Sequence, residues 1–297
     1  MSSLVIPRPE AADGTVPSPG PSRRVALIPT VTLLIGAVYC LLPVMWVVIA
    51  STKSGRELFS TFTFWPGTGF AENLTDLNSY RDGVYWQWMA NSALYAGLGA
   101  LLSTCVSAVS GYALATYRFR GRETVFNVLL AGVLMPPVIL AIPQYLLMAE
   151  ADLTDSYLSV LLPQILSPYG VYLARIYAAA AVPSDVVEAA RMDGAGEWRI
   201  LTRVALPMML PGLVTVFLFQ FVAVWNNFLL PFVMLSDDEK FPVTLGLYTL
   251  LEQGSSQPAL YTLVITGAFL AVVPLVALFL VVQRFWSLDL LSGAVKS

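Results

Sequence analysis

The stretch from Val182 to Gly212 reads VPSDVVEAARMDGAGEWRILTRVALPMMLPG. Its first half is polar and its second half runs into an apolar segment, so it marks a place where the chain passes between two solvents. Ser184, after Pro183, is a good N-cap residue because its hydroxyl can accept from an orphan N–H of the first turn. Asp185 sits in that turn, where negative charge complements the helix dipole. A short helix is therefore expected over 185–192. Gly194 and Gly196 end it, since glycine accepts the left-handed conformation that closes helices. Residues 197–205 read as a second short helix, and Pro207 stands near the start of the next apolar segment. The first helix has a mixed surface: Val186, Val187, Ala189, Ala190 and Met192 are apolar or small, while Asp185, Glu188 and Arg191 are charged. Such an element can lie in the groove of a soluble partner and transmit its motion.

Outward from this loop the chain is mostly apolar. A bilayer core needs about 20 apolar residues of helix, and six stretches supply them: 26–50, 92–115, 125–148, 158–180, 208–234 and 260–282. Five contain no Asp, Glu, Lys or Arg, and the fourth holds only Arg175, near one end, where a long cation can snorkel to the interface. The runs are too long for strands and do not alternate with period two. Composition agrees: 57% of the 297 residues are hydrophobic and 12% are charged, against about 45–50% and 25% in soluble domains. The mean hydropathy is +0.72. The expected fold is all-α, with six transmembrane helices.

Arg8, Arg23, Arg24, Arg118, Arg120, Arg122, Arg175, Arg191, Arg199, Arg203, Arg284 and Lys296 fall on the side of both termini. Lys53, Arg56, Arg81 and Lys240 fall on the other. That excess places both termini in the cytoplasm. Prolines punctuate the spans, at Pro136, Pro137, Pro143, Pro163, Pro168, Pro211, Pro231 and Pro274. Each removes a backbone donor and tends to kink its helix.

Residues 1–24 are rich in Pro, Gly and Ser and are expected to be disordered; they lack a signal-peptide layout. The outer segment 51–89 is long for a loop and carries Trp65, Tyr80, Tyr85, Trp86 and Trp88, expected to contribute to an interfacial belt. Cys40 and Cys105 lie in apolar runs and read as small buried side chains. Histidine is absent, which removes the commonest general base and metal ligand. There is no basic stripe for nucleic acid. No metal site is expected.

Glu188-Ala189-Ala190, three residues, Gly194, nine residues, Val204, one residue and Leu206-Pro207 together resemble the EAA loop of ABC importer permeases. Val204 stands where that family usually has Ile. Arg191-Met192-Asp193-Gly194-Ala195 is similar to the "R-L-D-G-A" form of the carbohydrate branch. Trp225-Asn226-Asn227-Phe228-Leu229-Leu230-Pro231 resembles its "W-N-E-F-L-L-P" segment, with Asn227 in place of Glu. The tail Ser292-Gly293-Ala294-Val295-Lys296 is also similar to that of the maltose-type second permease, whose C-terminus reaches toward the ATPase dimer. The resemblance implies a type I importer permease fold: an extension over 1–24, a permease domain over 25–290 with its coupling loop at 182–207, and a tail over 291–297.

It further implies a bacterial cytoplasmic membrane protein that imports a sugar or oligosaccharide. Its partners would be a second permease subunit, two copies of an ABC ATPase and an extracytoplasmic sugar-binding protein. Glu188, Ala189, Ala190, Arg191, Asp193 and Gly194 would sit at the ATPase contact. The chain has no Walker A loop, because no lysine stands in G-x-x-x-x-G-K-[ST], so ATP is used by the partner and no cofactor is expected here. Polar residues at membrane depth are costly unless they face the bundle interior or water. Gln144, Gln164, Gln220, Asn226 and Asn227 are therefore path candidates, with Gln220 and Asn227 seven apart on one helix face and Phe221 and Trp225 as an apolar wall. Interhelical hydrogen bonding explains such residues equally well. The competing cargoes are a polyol, a glycerol phosphate or a peptide. An ion-coupled secondary transporter would show intramembrane carboxylates or inverted repeats, and an intramembrane enzyme would need ionisable groups that the spans lack.

Overall fold

The computed structural model describes residues 23–254, 257 and 259–294, with side chains for 27, 29–254, 257 and 259–285. Most of the N-terminal extension, and Val295 and Lys296 of the tail, lie outside them. The described residues fall into two compact units, divided between Trp46 and Val47. The first holds most of α1 (Arg23–Ser51), an apolar helix with Pro29 and Pro43 inside it.

In the second unit the segment after α1 is helical rather than a loop. α2 (Gly55–Ser60) starts in a capping box, with Ser54 and Glu57 each satisfying the other's backbone N–H. Lys53 is buried, its ammonium donating to the carbonyls of Phe62 at 2.7 Å and Thr63 at 3.2 Å. α3 (Phe70–Ser79) runs into a turn in which Arg81, Asp82 and Gly83 all have positive φ. α4 (Val84–Thr116) follows, 33 residues long. Tyr85 and Trp88 are not belt residues: they are 1% and 0% exposed, inside the core. Trp65, at 70% exposure, and Trp86 keep the exposed position expected of an interface.

Three of the six expected spans are not single rods. The third is split into α5 (Arg122–Leu134) and α6 (Pro137–Glu150), bent by 106°. Met135 and Pro136 are extended, because each precedes a proline and the proline ring disfavours the helical region for the residue before it. The fourth is α7 (Tyr157–Ile165) and α8 (Pro168–Ala181), interrupted at Leu166 and Ser167, of which Ser167 precedes Pro168 and is extended for the same reason. Ser167 then caps α8 by accepting from the Gly170 N–H at 3.0 Å. A 73° bend leads to α9 (Ser184–Met192).

The expected second short helix over 197–205 is not separate from the fifth span. α10 (Glu197–Ile200) passes through a π-helical turn at Leu201–Ala205 into α11 (Leu206–Trp225), giving one helix of 29 residues. The Leu206 N–H bonds the Leu201 carbonyl, five residues back, just before Pro207. That extra residue in the turn makes room for a proline ring and its missing donor without breaking the helix. At the other end the fifth span, expected to run to 234, stops at Trp225, and a short α12 (Leu229–Met234) follows a break. α13 (Val243–Gly254) and α14 (Leu260–Ala294) complete the described chain.

Among the described residues four helices are long and apolar enough to cross a membrane, or up to six if each of the two bent pairs is one span. Two buried clusters divide the unit. One gathers Trp88, Tyr95, Val160, Trp225, Met234 and Leu245 near the start of α4. The other gathers Tyr112, Ala174, Val187, Ile200, Ala205 and Met209 near its end. Between apolar helices in lipid the hydrophobic effect offers no preference for protein over solvent, so close approach at small residues must supply the attraction. A Cβ on Gly111 would lie 2.6 Å from that of Ala174 on α8, and one on Gly246 would lie 2.2 Å from the Trp88 ring. Cys40 and Cys105 are exposed, not buried as expected, on helix faces that are otherwise apolar.

Candidate functional site

α9 is closed by a complete set of local bonds. The Ala195 N–H reaches the Ala190 carbonyl and the Gly194 N–H the Arg191 carbonyl, both at 3.0 Å. These are the two bonds of a Schellman motif, with Gly194 at φ +79° as its left-handed residue. Gly196 differs from the expectation: its φ of −70° and ψ of 156° make it the extended N-cap of α10. Ser184 differs too. Pro183, with φ −62° and ψ 143°, is the N-cap, so Ser184 already lies in the first turn. Its hydroxyl donates to Asp185 at 3.2 Å instead of accepting from the helix.

Val187 anchors the underside of α9, at 2% exposure, in the cluster with Ile200 and Ala205. Ala190 is half-buried against the same cluster. Glu188, Ala189, Asp193 and Gly194 stand exposed, as do Met192 at 88% and Trp198 at 72%. Arg191 is turned onto its own loop: its Nε and Nη2 donate to the two carboxylate oxygens of Glu197 at 2.8 and 3.3 Å. Tyr117, the residue that caps α4, donates to Glu197 at 2.6 Å. Sequence reasoning missed both partners. Glu197 lies six positions from Arg191 across a glycine turn, where helical spacing rules do not reach, and Tyr117 is 80 residues from Glu197.

A second feature lies where the broken spans meet. A cleft of about 300 Å³ is lined by Gln144 of α6, Gln164 of α7, Ser167, Tyr169 of α8 and Asn227, with apolar walls that include Leu140 and Leu230. It carries no Asp, Glu, Lys or Arg. Three of the five polar path candidates thus converge. Gln220 is buried beside the cleft, and its amide donates to the Ser167 hydroxyl. The wall residue Trp225 and the fifth polar candidate, Asn226, are elsewhere. Trp225 is 3% exposed in the core, its ring stacked on Phe221 with centroids 5.6 Å apart. Asn226 is exposed and bonds back to the Val222 carbonyl at 2.8 Å. Gln220 and Asn227 do not share a helix face, because α11 ends at Trp225. Asn227 sits in the break and accepts from the Leu230 N–H at 3.2 Å.

Arg175 does not snorkel free. Its guanidinium lies 3.6 Å from the centre of the Phe126 ring and 3.6 Å from the Glu123 carboxylate. At the opposite end of α4, Trp88 and Asn91 donate to the carbonyls of Asp238 and Glu239. Lys240 bridges Asp237 at 2.9 Å and Asp155 at 3.5 Å, and Asp155 also accepts from the N–H groups of Ser236 and Asp237 at 3.0 Å.

A helical bundle with several apolar spans, a polar uncharged cleft between broken helices and a cap-closed amphipathic helix on one face defines a polytopic transport subunit. The chain belongs to the family described as "Binding-protein-dependent transport system inner membrane component", which matches residues 106–288. It is an inner-membrane protein of the ABC permease class. It is 34% identical over 257 residues to the arabinooligosaccharide transport permease AraQ of Halalkalibacterium halodurans, covering 86% of this chain and 90% of that protein. It is 30% identical to the lactose transport permease LacG of Rhizobium radiobacter, covering 89% and 94%. A bacterial ABC transporter involved in the import of alginate has a chain of the same fold, with a TM-score of 0.76, 24% identity and coverage of 90% and 99%.

Proposed function

We propose that this chain is one of two membrane-spanning subunits of an ATP-driven importer that moves a sugar or oligosaccharide into the cytoplasm. In this reading α5 with α6 is one span and α7 with α8 another, giving six with both termini cytoplasmic. A second permease, two copies of an ATPase and an extracytoplasmic binding protein complete the machine. ATP would be used by the motors, since no lysine of this chain stands in a Walker A loop. The observation that carries the reading is α9. It is held underneath by Val187 and closed at its end by Gly194, yet presents Glu188, Ala189, Met192 and Asp193 outward. A rigid, exposed, mixed-polarity helix of this kind suits a docking groove on a soluble motor. Residues 182–207 would form the coupling loop. ATP-driven closure of the motors would shift it, and the bundle would alternate between inward- and outward-facing states, provided that the ATP-bound motor favours one state by several kcal/mol.

The cleft supports a neutral, hydroxyl-rich cargo. Gln144, Gln164, Ser167 and Asn227 offer donors and acceptors, Tyr169 offers an aromatic face, and no cation is present there to hold a phosphate. The relatives named for arabinooligosaccharides and lactose lend weight to the same class. The test is uptake of a panel of labelled sugars and glycerol phosphate by cells with and without this gene, together with purification of the tagged chain. Sugar uptake lost on deletion and a co-purifying ATPase are expected. Intact sugar uptake in the deletion strain, or full activity with no ATPase bound, would overturn the proposal. Within it, Gln144→Ala and Asn227→Ala should weaken uptake and alter sugar preference, which Asn226→Ala should not.

A further inference from the structure

α9 touches the body of the protein mainly through Val187 and Ala190, and an apolar contact does little to fix rotation about the contact. The orientation has a polar source. One carboxylate, that of Glu197 at the start of α10, takes both Arg191 donors from the last turn of α9 and the Tyr117 hydroxyl from the end of α4. Two parallel charge-assisted bonds set an angle as well as a distance. The Tyr117 ring is itself held, edge-on to Tyr112 with centroids 5.8 Å apart. Tyr112 is 1% exposed, in the cluster that also contains Val187 and Ile200. From Tyr117, α4 runs back 33 residues, roughly 50 Å at 1.5 Å per residue. There Trp88, Asn91 and Tyr95 donate to the carbonyls of residues 238–241 on the opposite face.

Resting on the reading of 182–207 as the ATPase contact, we propose that Tyr117 is a positioning residue. Its hydroxyl ties the α9–α10 corner to the end of α4, so that displacement of the coupling helix is passed along α4 to the far face instead of being lost as rocking of α9. Tyr117 contacts neither motor nor cargo in this assignment; it acts through Glu197.

The experiment uses the assembled transporter in lipid nanodiscs or proteoliposomes. Tyr117→Phe removes one oxygen and keeps the ring contact with Tyr112. Sugar transported per ATP hydrolysed is expected to fall roughly two- to tenfold, the range for losing one hydrogen bond, with the ATPase still co-purifying. In a Glu197→Ala background, which removes the acceptor, the same change should add little. An unchanged ratio in Tyr117→Phe, or a full additional loss in the Glu197→Ala background, overturns the tie. A spin label at Met192→Cys, with Cys40 and Cys105 replaced by serine, reads the tie without transport: Tyr117→Phe should raise its mobility, and unchanged mobility also overturns it. A wild-type complex with no ATP-driven sugar uptake would defeat the functional reading instead, and the label would still decide the tie.

Discussion

Gly194 and Gly196 are two residues apart in the same turn, yet the structure assigns them opposite sensitivities. A Cβ would meet nothing within 4 Å at either position, so sterics with neighbours cannot distinguish them. Backbone conformation does. Gly194 has φ +79°, where a Cβ crowds the following carbonyl at a cost of about 1–2 kcal/mol. Gly196 has φ −70°, which any residue adopts, and an alanine there gains a few tenths to about 1 kcal/mol by restricting the unfolded chain. The Gly194→Ala penalty falls on the closed form of the loop and corresponds to a factor of roughly 5–30 in its population. Gly194→Asn should cost less, because asparagine tolerates the left-handed region. The assay is sugar-stimulated ATP hydrolysis by the reconstituted complex, alongside the affinity of the ATPase for the permease. The expected order of stimulated rates is wild type and Gly196→Ala highest, Gly194→Asn next, Gly194→Ala lowest. Equal rates for the two alanine variants would refute the assignment of this turn as a conformationally demanding part of the motor contact.

Two further outcomes follow from packing and charge. Gly111→Ala places a methyl 2.6 Å from Ala174 Cβ and from the Arg175 backbone nitrogen, so α4 and α8 must part at a cost of about 1–3 kcal/mol; a drop in melting temperature in nanodiscs is expected, whereas Gly97→Ala, in open space on the same helix, should leave it unchanged. Asp155→Asn should lower the melting temperature at neutral pH. The backbone N–H groups of Asp237 and Ser236, helped by Lys240, hold this carboxyl below its ordinary value of 3.8. A depressed carboxylate contributes stability above the unfolded value and loses it as pH falls through the folded one, so the gap between wild type and Asp155→Asn should persist down to pH 3.8 and close only below it; a gap already closed at pH 6 contradicts the clasp.

Much of this was legible in the residues themselves. Apolar length alone marked the long apolar helices, and the caps around Pro183 and Gly194 marked a short helix between two of them. Gly194 was legible as a left-handed closure. What was not legible has a common cause. A polar side chain in an apolar run announces that it needs a partner without saying which one. Gln144, Gln164 and Asn227 meet in one cleft, while Asn226, beside Asn227, bonds its own helix. That difference depends on the break after Trp225, which no periodicity in the run reveals.

The prolines were visible, but their consequences were not. Pro137 and Pro168 break their spans, whereas Pro207 is absorbed by a π turn that keeps α10 and α11 one helix. The outcome depends on whether neighbouring backbone can take up the freed carbonyl, and that is a property of the packed bundle. Likewise Tyr85 and Trp88 read as interfacial aromatics, yet they fill the core because Gly246 and Gly267 leave space against their rings. Hydropathy and local caps are properties of a few adjacent residues, so the sequence by itself determined the solvent, the helices and the turn at Gly194. Which residues meet across 80 positions, as Tyr117 and Glu197 do, depends on how helices cross, and only the tertiary structure decided it.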